Sequence, residues 1–155
     1  MQALRPRVLK IGLAGAGAIS LHHLVAWKQV PDVELVAVAD PAPGKATARA
    51  QAFAIPHVHD DVAAMLDAHG LDILDIASPR DRHAEHVRMA AARGIHVLCQ
   101  KPLTNTLAEG EALAAEIGER VRFMVNDNRR FRSDFRQIAR WIADGAVGEV
   151  RQVQM

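Results

Sequence analysis

Short apolar runs alternate along this chain with longer stretches whose apolar positions fall one helical turn apart. Val8 to Ala14 predicts a first strand that ends in glycines. Ala18 to Val30, with apolar residues at Ile19, Leu21, Leu24, Val25, Trp27 and Val30, predicts a helix closed by Pro31-Asp32. "ELVAVA" (Glu34 to Ala39) predicts a second strand, and Gly44 to Phe53 an alanine-rich helix. "HVH" (His57 to His59) is a weak third strand. A short helix over Val62 to His69 follows, with Asp60 or Asp61 as its cap and Gly70 as its stop. Leu71 to Ala77 is a fourth strand, His83 to Arg93 a helix closed by Gly94, and His96 to Cys99 a fifth strand. Thr106 to Ile117 is a helix opened by a capping box, Thr106 with Glu109 three residues on. Arg122 to Val125 is a sixth strand and Ser133 to Asp144 a last helix stopped by Gly145. Strands and helices alternating at this spacing predict a parallel sheet covered on both faces. Right-handed crossovers then favour the doubly wound, three-layer α/β/α arrangement of the Rossmann fold.

Composition narrows the class. The chain has 155 residues, of which 50% are hydrophobic and 24% charged, enough for one domain with a full core. A net charge of +1 supplies no long-range attraction to nucleic acid or to an anionic membrane. The arginines of "NRRFRSDFR" read as a solvated helix start. The single cysteine, Cys99, cannot form an internal disulfide, which fits a cytoplasmic setting. "MQALRPRVLK" reads as a lead-in to a strand and not as a signal peptide.

The candidate chemistry sits at strand ends. Gly15-Ala16-Gly17-Ala18-Ile19-Ser20 follows G-x-G-x-x-G except at its last position. Gly15 permits the tight turn, Gly17 lets the backbone approach a pyrophosphate, and Ser20 is small enough for helix–strand packing. The N–H groups and positive helix end at Gly15 to Ile19 would then face phosphates. No G-K-[ST] follows, which disfavours a nucleoside-triphosphate loop. Asp40 ends the second strand, where a carboxylate accepts hydrogen bonds from both adenine-ribose hydroxyls and repels a 2′-phosphate. Because Pro41 and not an arginine follows, the reading favours NAD over NADP. "SPRDRH" (Ser78 to His83) follows the fourth strand and Gln100-Lys101-Pro102 the fifth, both at the end of the sheet where ligands bind. Lys101 there can hydrogen-bond a substrate oxygen, stabilise developing negative charge or relay a proton. Its local sequence equally allows a lysine reaching to water. "HVHDD" and "HAEH" resemble ligand sets, but His57 and His59 lie on one side of a weak edge strand, His83 belongs to the loop after the fourth strand, His86 is expected on the outside of its helix, and "HAEH" lacks the H-E-x-x-H spacing, so no metal site is expected from either.

"KIGLAGAGAISLHH", "ELVAVADP", "LDILDIASPRDRHAEHVRMAAARGIHVLCQKPL" and "FMVNDNRRF", in this order, resemble the glucose–fructose oxidoreductase/inositol dehydrogenase (Gfo/Idh/MocA) family. The resemblance implies a nicotinamide-dependent oxidoreductase moving a hydride to or from a secondary alcohol of a sugar or polyol. It implies that Lys101, in a segment that normally reads Glu-Lys-Pro, is catalytic or substrate-binding. Gln100 departs from that glutamate, yet its carbonyl can accept a bond from the nicotinamide ribose. The resemblance also places Ser78 and Pro79 against the cofactor and His83 near its nicotinamide end. Asn126 and Arg129 fall where the family chain leaves the nucleotide domain. His23 matches a family histidine, for which cofactor contact and simple packing both stay open. By the same resemblance residues 1–125 are the dinucleotide-binding domain, 126–148 a connecting segment and helix, and 149–155 the first strand of a second domain. That domain would carry substrate contacts, a further Asp and His, and most of a homo-oligomer interface. The expectation is therefore a fragment that binds NAD without turnover; the alternative is a non-enzymatic dinucleotide-binding module.

Overall fold

A computed structural model of the chain describes residues 7–154. The start of the N-terminal lead-in and Met155 lie outside the described residues. Six parallel strands form one sheet in the order β3-β2-β1-β4-β5-β6. They are β1 (Leu9–Ala14), β2 (Val33–Ala39), β3 (His57–His59), β4 (Ile73–Ile76), β5 (His96–Gln100) and β6 (Phe123–Asn126). The helices are α1 (Ser20–Trp27), α2 (Lys45–Phe53), α3 (Val62–Ala68), α4 (His83–Ala92), α5 (Leu107–Ile117) and α6 (Ser133–Ala143). The strand order reverses between β1 and β4, which opens a crevice at their carboxyl ends.

Alternation along each strand divides the core in two. Ile11 and Leu13 of β1 and Val38 of β2 pack with Leu24 of α1 and with Ala46 and Ala50 of α2. Leu74 and Ile76 of β4 and Val97 and Cys99 of β5 face the other way, onto Met65, Val87, Leu113 and Ile117 of α3, α4 and α5. Ile73, Asp75 and Ala77 therefore share the α1 face, as do Leu98 and Gln100. One irregularity changes this count: the β1–β2 register jumps from Ile11↔Leu35 to Gly12↔Ala37, so Val36 is an extra residue. The bulge brings Leu35 and Val38 to the same core face despite their odd spacing. Asp40, two residues beyond Val38, follows that face.

Local capping matches the sequence. Thr106 Oγ1 accepts the Glu109 N–H at 3.2 Å, and Glu109 Oε2 accepts the Thr106 N–H at 3.1 Å. Of the two aspartates before α3 it is Asp61 that caps, accepting the Ala64 N–H at 2.8 Å; such a cap stabilises by about 1 kcal/mol. Two expectations change. The α1 face of the sheet is bare at β6, where Met124 stays exposed, and no residue of α6 is buried. Residues 149–154 form no strand, as fits an edge segment without a partner to bond it.

Candidate functional site

The glycine turn leaves β1 at Ala14. Gly15 has φ +97°, and its N–H donates to the Ala39 carbonyl at 2.8 Å. A Cβ on Gly15 would stand 2.6 Å from the Ser78 nitrogen, against backbone that cannot yield. Gly15→Ala should consequently lower stability by about 2–4 kcal/mol, from left-handed strain plus overlap. A thermal melt should show the midpoint falling by about 10 °C.

Gly17 differs, because a Cβ there meets nothing within 4 Å. Among the described residues no protein acceptor takes the N–H groups of Gly17, Ala18 or Ile19. This bare cradle of donors at the start of α1 fits a pyrophosphate. Ser20, the departure from the third glycine, is fully buried, and its Oγ donates to the Gly17 carbonyl at 2.6 Å. Arg49 on α2 reinforces the clasp, donating from Nε to Ser20 Oγ at 3.0 Å and from Nη2 to the Gly17 carbonyl at 3.1 Å. Sequence reading took Ser20 only as a small residue and missed Arg49, which no local motif marks.

Asp40 stands beside this turn, buried at 9% exposure. Its Oδ2 accepts the Ala16 N–H at 2.7 Å and its Oδ1 accepts the Ala42 N–H at 2.8 Å. The carboxylate thus pins the turn to the end of β2 and keeps lone pairs for hydroxyl donors.

Ser78 and Pro79 continue β4 into a turn of 3₁₀ helix over Arg80–Arg82. His83 lies beneath them, 2% exposed, with Nε2 2.9 Å from the Ser78 carbonyl and Nδ1 2.9 Å from the Pro102 carbonyl. It links the loops after β4 and β5 from below. His86, which the sequence places on the outside of its helix, is instead buried with Nδ1 3.0 Å from Ser78 Oγ. Burial holds its imidazole below the ordinary histidine value. The other histidine pair is also engaged within the protein: His59 Nε2 lies 2.9 Å from His69 Nε2, and His57 stacks on His69 at 4.4 Å. Cys99 is buried, and burial pushes its thiol up to about 12; it is an inert core residue.

Lys101 is exposed at the end of β5, and its ammonium has no ion-pair partner among the described residues. Its backbone N–H donates to Gln100 Oε1 at 2.7 Å. Gln100 Nε2 is 3.2 Å from His23 Nε2, and His23 Nδ1 is 2.8 Å from Asp75 Oδ1. Trp27 Nε1–H donates to Asp75 Oδ2 at 2.7 Å. His23 therefore packs against Asp75 and Gln100 beneath the site. Asp75 and Trp27 went unread, although a charge inside a strand of the buried "LDILDIA" run was a visible signal. Asn126 pairs with Gln100 across β5–β6, and the two line a groove of about 620 Å³ with Ile19, His23, Trp27 and Leu98. Arg129 is exposed in the 3₁₀ turn that leaves β6.

A doubly wound sheet with a donor-lined glycine turn, an aspartate at the end of β2 and a crevice at its switch point defines a dinucleotide-binding domain. The chain belongs to the Gfo/Idh/MocA family, the oxidoreductase family with an NAD-binding Rossmann fold, which it matches over residues 9–126. It is 38% identical over 140 residues to D-apiose dehydrogenase of Paraburkholderia graminis, covering 90% of this chain and 37% of that protein. Inositol 2-dehydrogenase of Rhizobium meliloti is 33% identical over 147 residues, covering 94% of this chain and 44% of that protein. The crystal structure of an Agrobacterium radiobacter oxidoreductase in complex with NAD+, L-tartaric acid and magnesium shares the fold with a TM-score of 0.86. That match has 29% identity over 92% of this chain and 42% of the other. The chain thus spans about two fifths of the length of these relatives. Among the described residues no helix is long and apolar enough to cross a membrane.

Proposed function

We propose that this chain is the cofactor-binding part of a nicotinamide-dependent dehydrogenase acting on a secondary alcohol of a sugar or polyol. The observation that carries the reading is the convergence of three strand ends on one crevice. The open glycine turn follows β1, Asp40 follows β2, and Lys101, whose ammonium has no ion-pair partner among the described residues, follows β5. A nicotinamide cofactor would accept or return the hydride. The N–H groups of Gly17, Ala18 and Ile19 bind its pyrophosphate, and Asp40 accepts from its adenine ribose. Ser78, Pro79 and Gln100 border its nicotinamide half, and His83 holds the two bordering loops together. Lys101 meets the substrate oxygen, stabilising charge on it or exchanging its proton. Asn126 and Arg129 close the crevice on the β6 side, where the chain leaves the sheet.

Substrate contacts, proton-transfer partners and the surfaces of a homo-oligomer belong in this proposal to a second domain, with residues 126–148 as the connection. D-apiose and inositol dehydrogenases among the relatives support the sugar or polyol class. The chain by itself should bind NAD and NADH and show no turnover with a panel of sugars and polyols. Calorimetric titration and reduced-cofactor absorbance test the two halves of that statement. A steady signal that disappears in Lys101→Ala would show that a complete active site is already present.

Cofactor choice gives a separate test. Asp40→Ser with Pro41→Arg should move preference from NAD towards NADP, by removing a repulsive charge and adding a phosphate partner. The Ala16 N–H loses its carboxylate in that variant, so a stability loss of about 1–3 kcal/mol should accompany the switch. Tighter binding of NADP than NAD by the unaltered chain would overturn the role given to Asp40.

A further inference from the structure

The protons in the chain Trp27–Asp75–His23–Gln100, buried at Asp75 and His23, follow from its Gln100 end. The Lys101 backbone N–H can only donate, so the Gln100 atom 2.7 Å from it is the carbonyl oxygen. The Gln100 amide nitrogen then faces His23 Nε2 at 3.2 Å as a donor, and Nε2 must carry a lone pair. The ring proton accordingly sits on Nδ1, which donates to the Asp75 carboxylate at 2.8 and 3.0 Å. From the other end, Trp27 Nε1–H is donor-only and also requires an acceptor at Asp75. A carboxylate at Asp75 that accepts from both Nδ1–H and the indole agrees with this assignment. No buried side-chain nitrogen or oxygen among the described residues lacks a partner.

Asp75 is 0% exposed in mid-strand, flanked by Leu13 of β1 and Leu98 of β5. A carboxylate in that position is costly unless its partners are fixed donors. We infer that Asp75 and His23 are positioning residues that hold the Gln100 amide in one orientation and, through it, the backbone that carries Lys101. A glutamate at position 100 would set a carboxylate against the His23 lone pair, so the ring would have to take a second proton. The charge of the chain would then run −1, +1, −1 over Asp75, His23 and the substituted position, in place of −1, 0, 0. Both arrangements sum to −1. Glutamine here therefore preserves the summed charge beneath the site, with a neutral ring in place of an imidazolium.

The link to catalysis rests on the reading of Lys101 given above, whereas the proton assignment does not. Its test uses the chain itself and needs no turnover. Long-range ¹H–¹⁵N spectra at neutral pH should show His23 as the Nδ1–H tautomer, and Gln100→Glu should show both ring nitrogens protonated. Asp75→Asn presents an amide donor to Nδ1, so the ring proton should move to Nε2 and Gln100 should turn. The Lys101 amide then loses its acceptor and should exchange roughly tenfold faster, as expected for loss of one hydrogen bond. If Asp75→Asn does not fold, His23→Leu carries the same exchange test, because it removes the partner of the Gln100 amide and leaves Gln100 itself in place. An Nε2–H tautomer in the unaltered chain would overturn the assignment. Unchanged Lys101 exchange in the folded variant would overturn the positioning role. Absent dehydrogenase activity in a complete protein would instead bear on the role of Lys101, leaving these spectra as they are.

Discussion

Gly17→Val should leave the chain folded while reducing NAD affinity by at least about 100-fold, the loss expected when a set of charge-assisted hydrogen bonds is blocked. The protein side of this result follows from space: a Cβ at Gly17 meets no atom within 4 Å, so the fold need not move. The ligand side follows from the same space. The unclaimed N–H groups of Gly17, Ala18 and Ile19 can approach a phosphate only if nothing projects between them and it. A thermal melt near that of the unaltered chain, together with no heat of NAD binding in calorimetry, is the expected pair. Gly15→Ala should show the reverse order of effects, a lowered midpoint from a clash inside the protein. Unaltered NAD affinity in Gly17→Val would remove the turn from the cofactor site.

Lys101→Ala, in a protein that carries this domain with its substrate domain, should lower kcat by about 100-fold or more while changing NAD affinity little. Residue 101 is exposed and its ammonium makes no ion pair among the described residues, so its removal breaks no ion pair of the folded domain. The bond from the residue 101 backbone to Gln100 survives in alanine, so the crevice keeps its shape. The proposed pyrophosphate site lies elsewhere, at the turn after β1. Steady-state kinetics beside an NAD titration separates the effects; equal losses in both would make Lys101 a cofactor ligand only.

Sequence periodicity found the six strands and six helices in order, because each element's burial pattern is local: period two in strands, one turn in helices. Boundaries moved where backbone bonds decide them. α1 begins at Ser20 and not Ala18 because the intervening N–H groups remain outside the helical ladder. β5 runs on to Gln100 because Asn126 of β6 pairs with it. The glycine turn and the Thr106–Glu109 box were legible since their partners lie a few residues apart.

What the chain's linear order determined by itself was the alternation of elements, and with it the parallel sheet and the strand ends that carry Gly15, Asp40 and Lys101. Tertiary structure alone decided how those ends are held. The extra residue Val36 shifts the parity of β2, so Asp40 meets the Ala16 N–H across the turn. Packing of α1 over β4 and β5 turns an aspartate in an apolar strand into the anchor for His23 and Gln100. The loops after β4 and β5 close over His83, and His86 comes inside with Ser78. Each of these bonds joins residues on separate elements, and a buried polar group has to find whichever partner the fold brings to it.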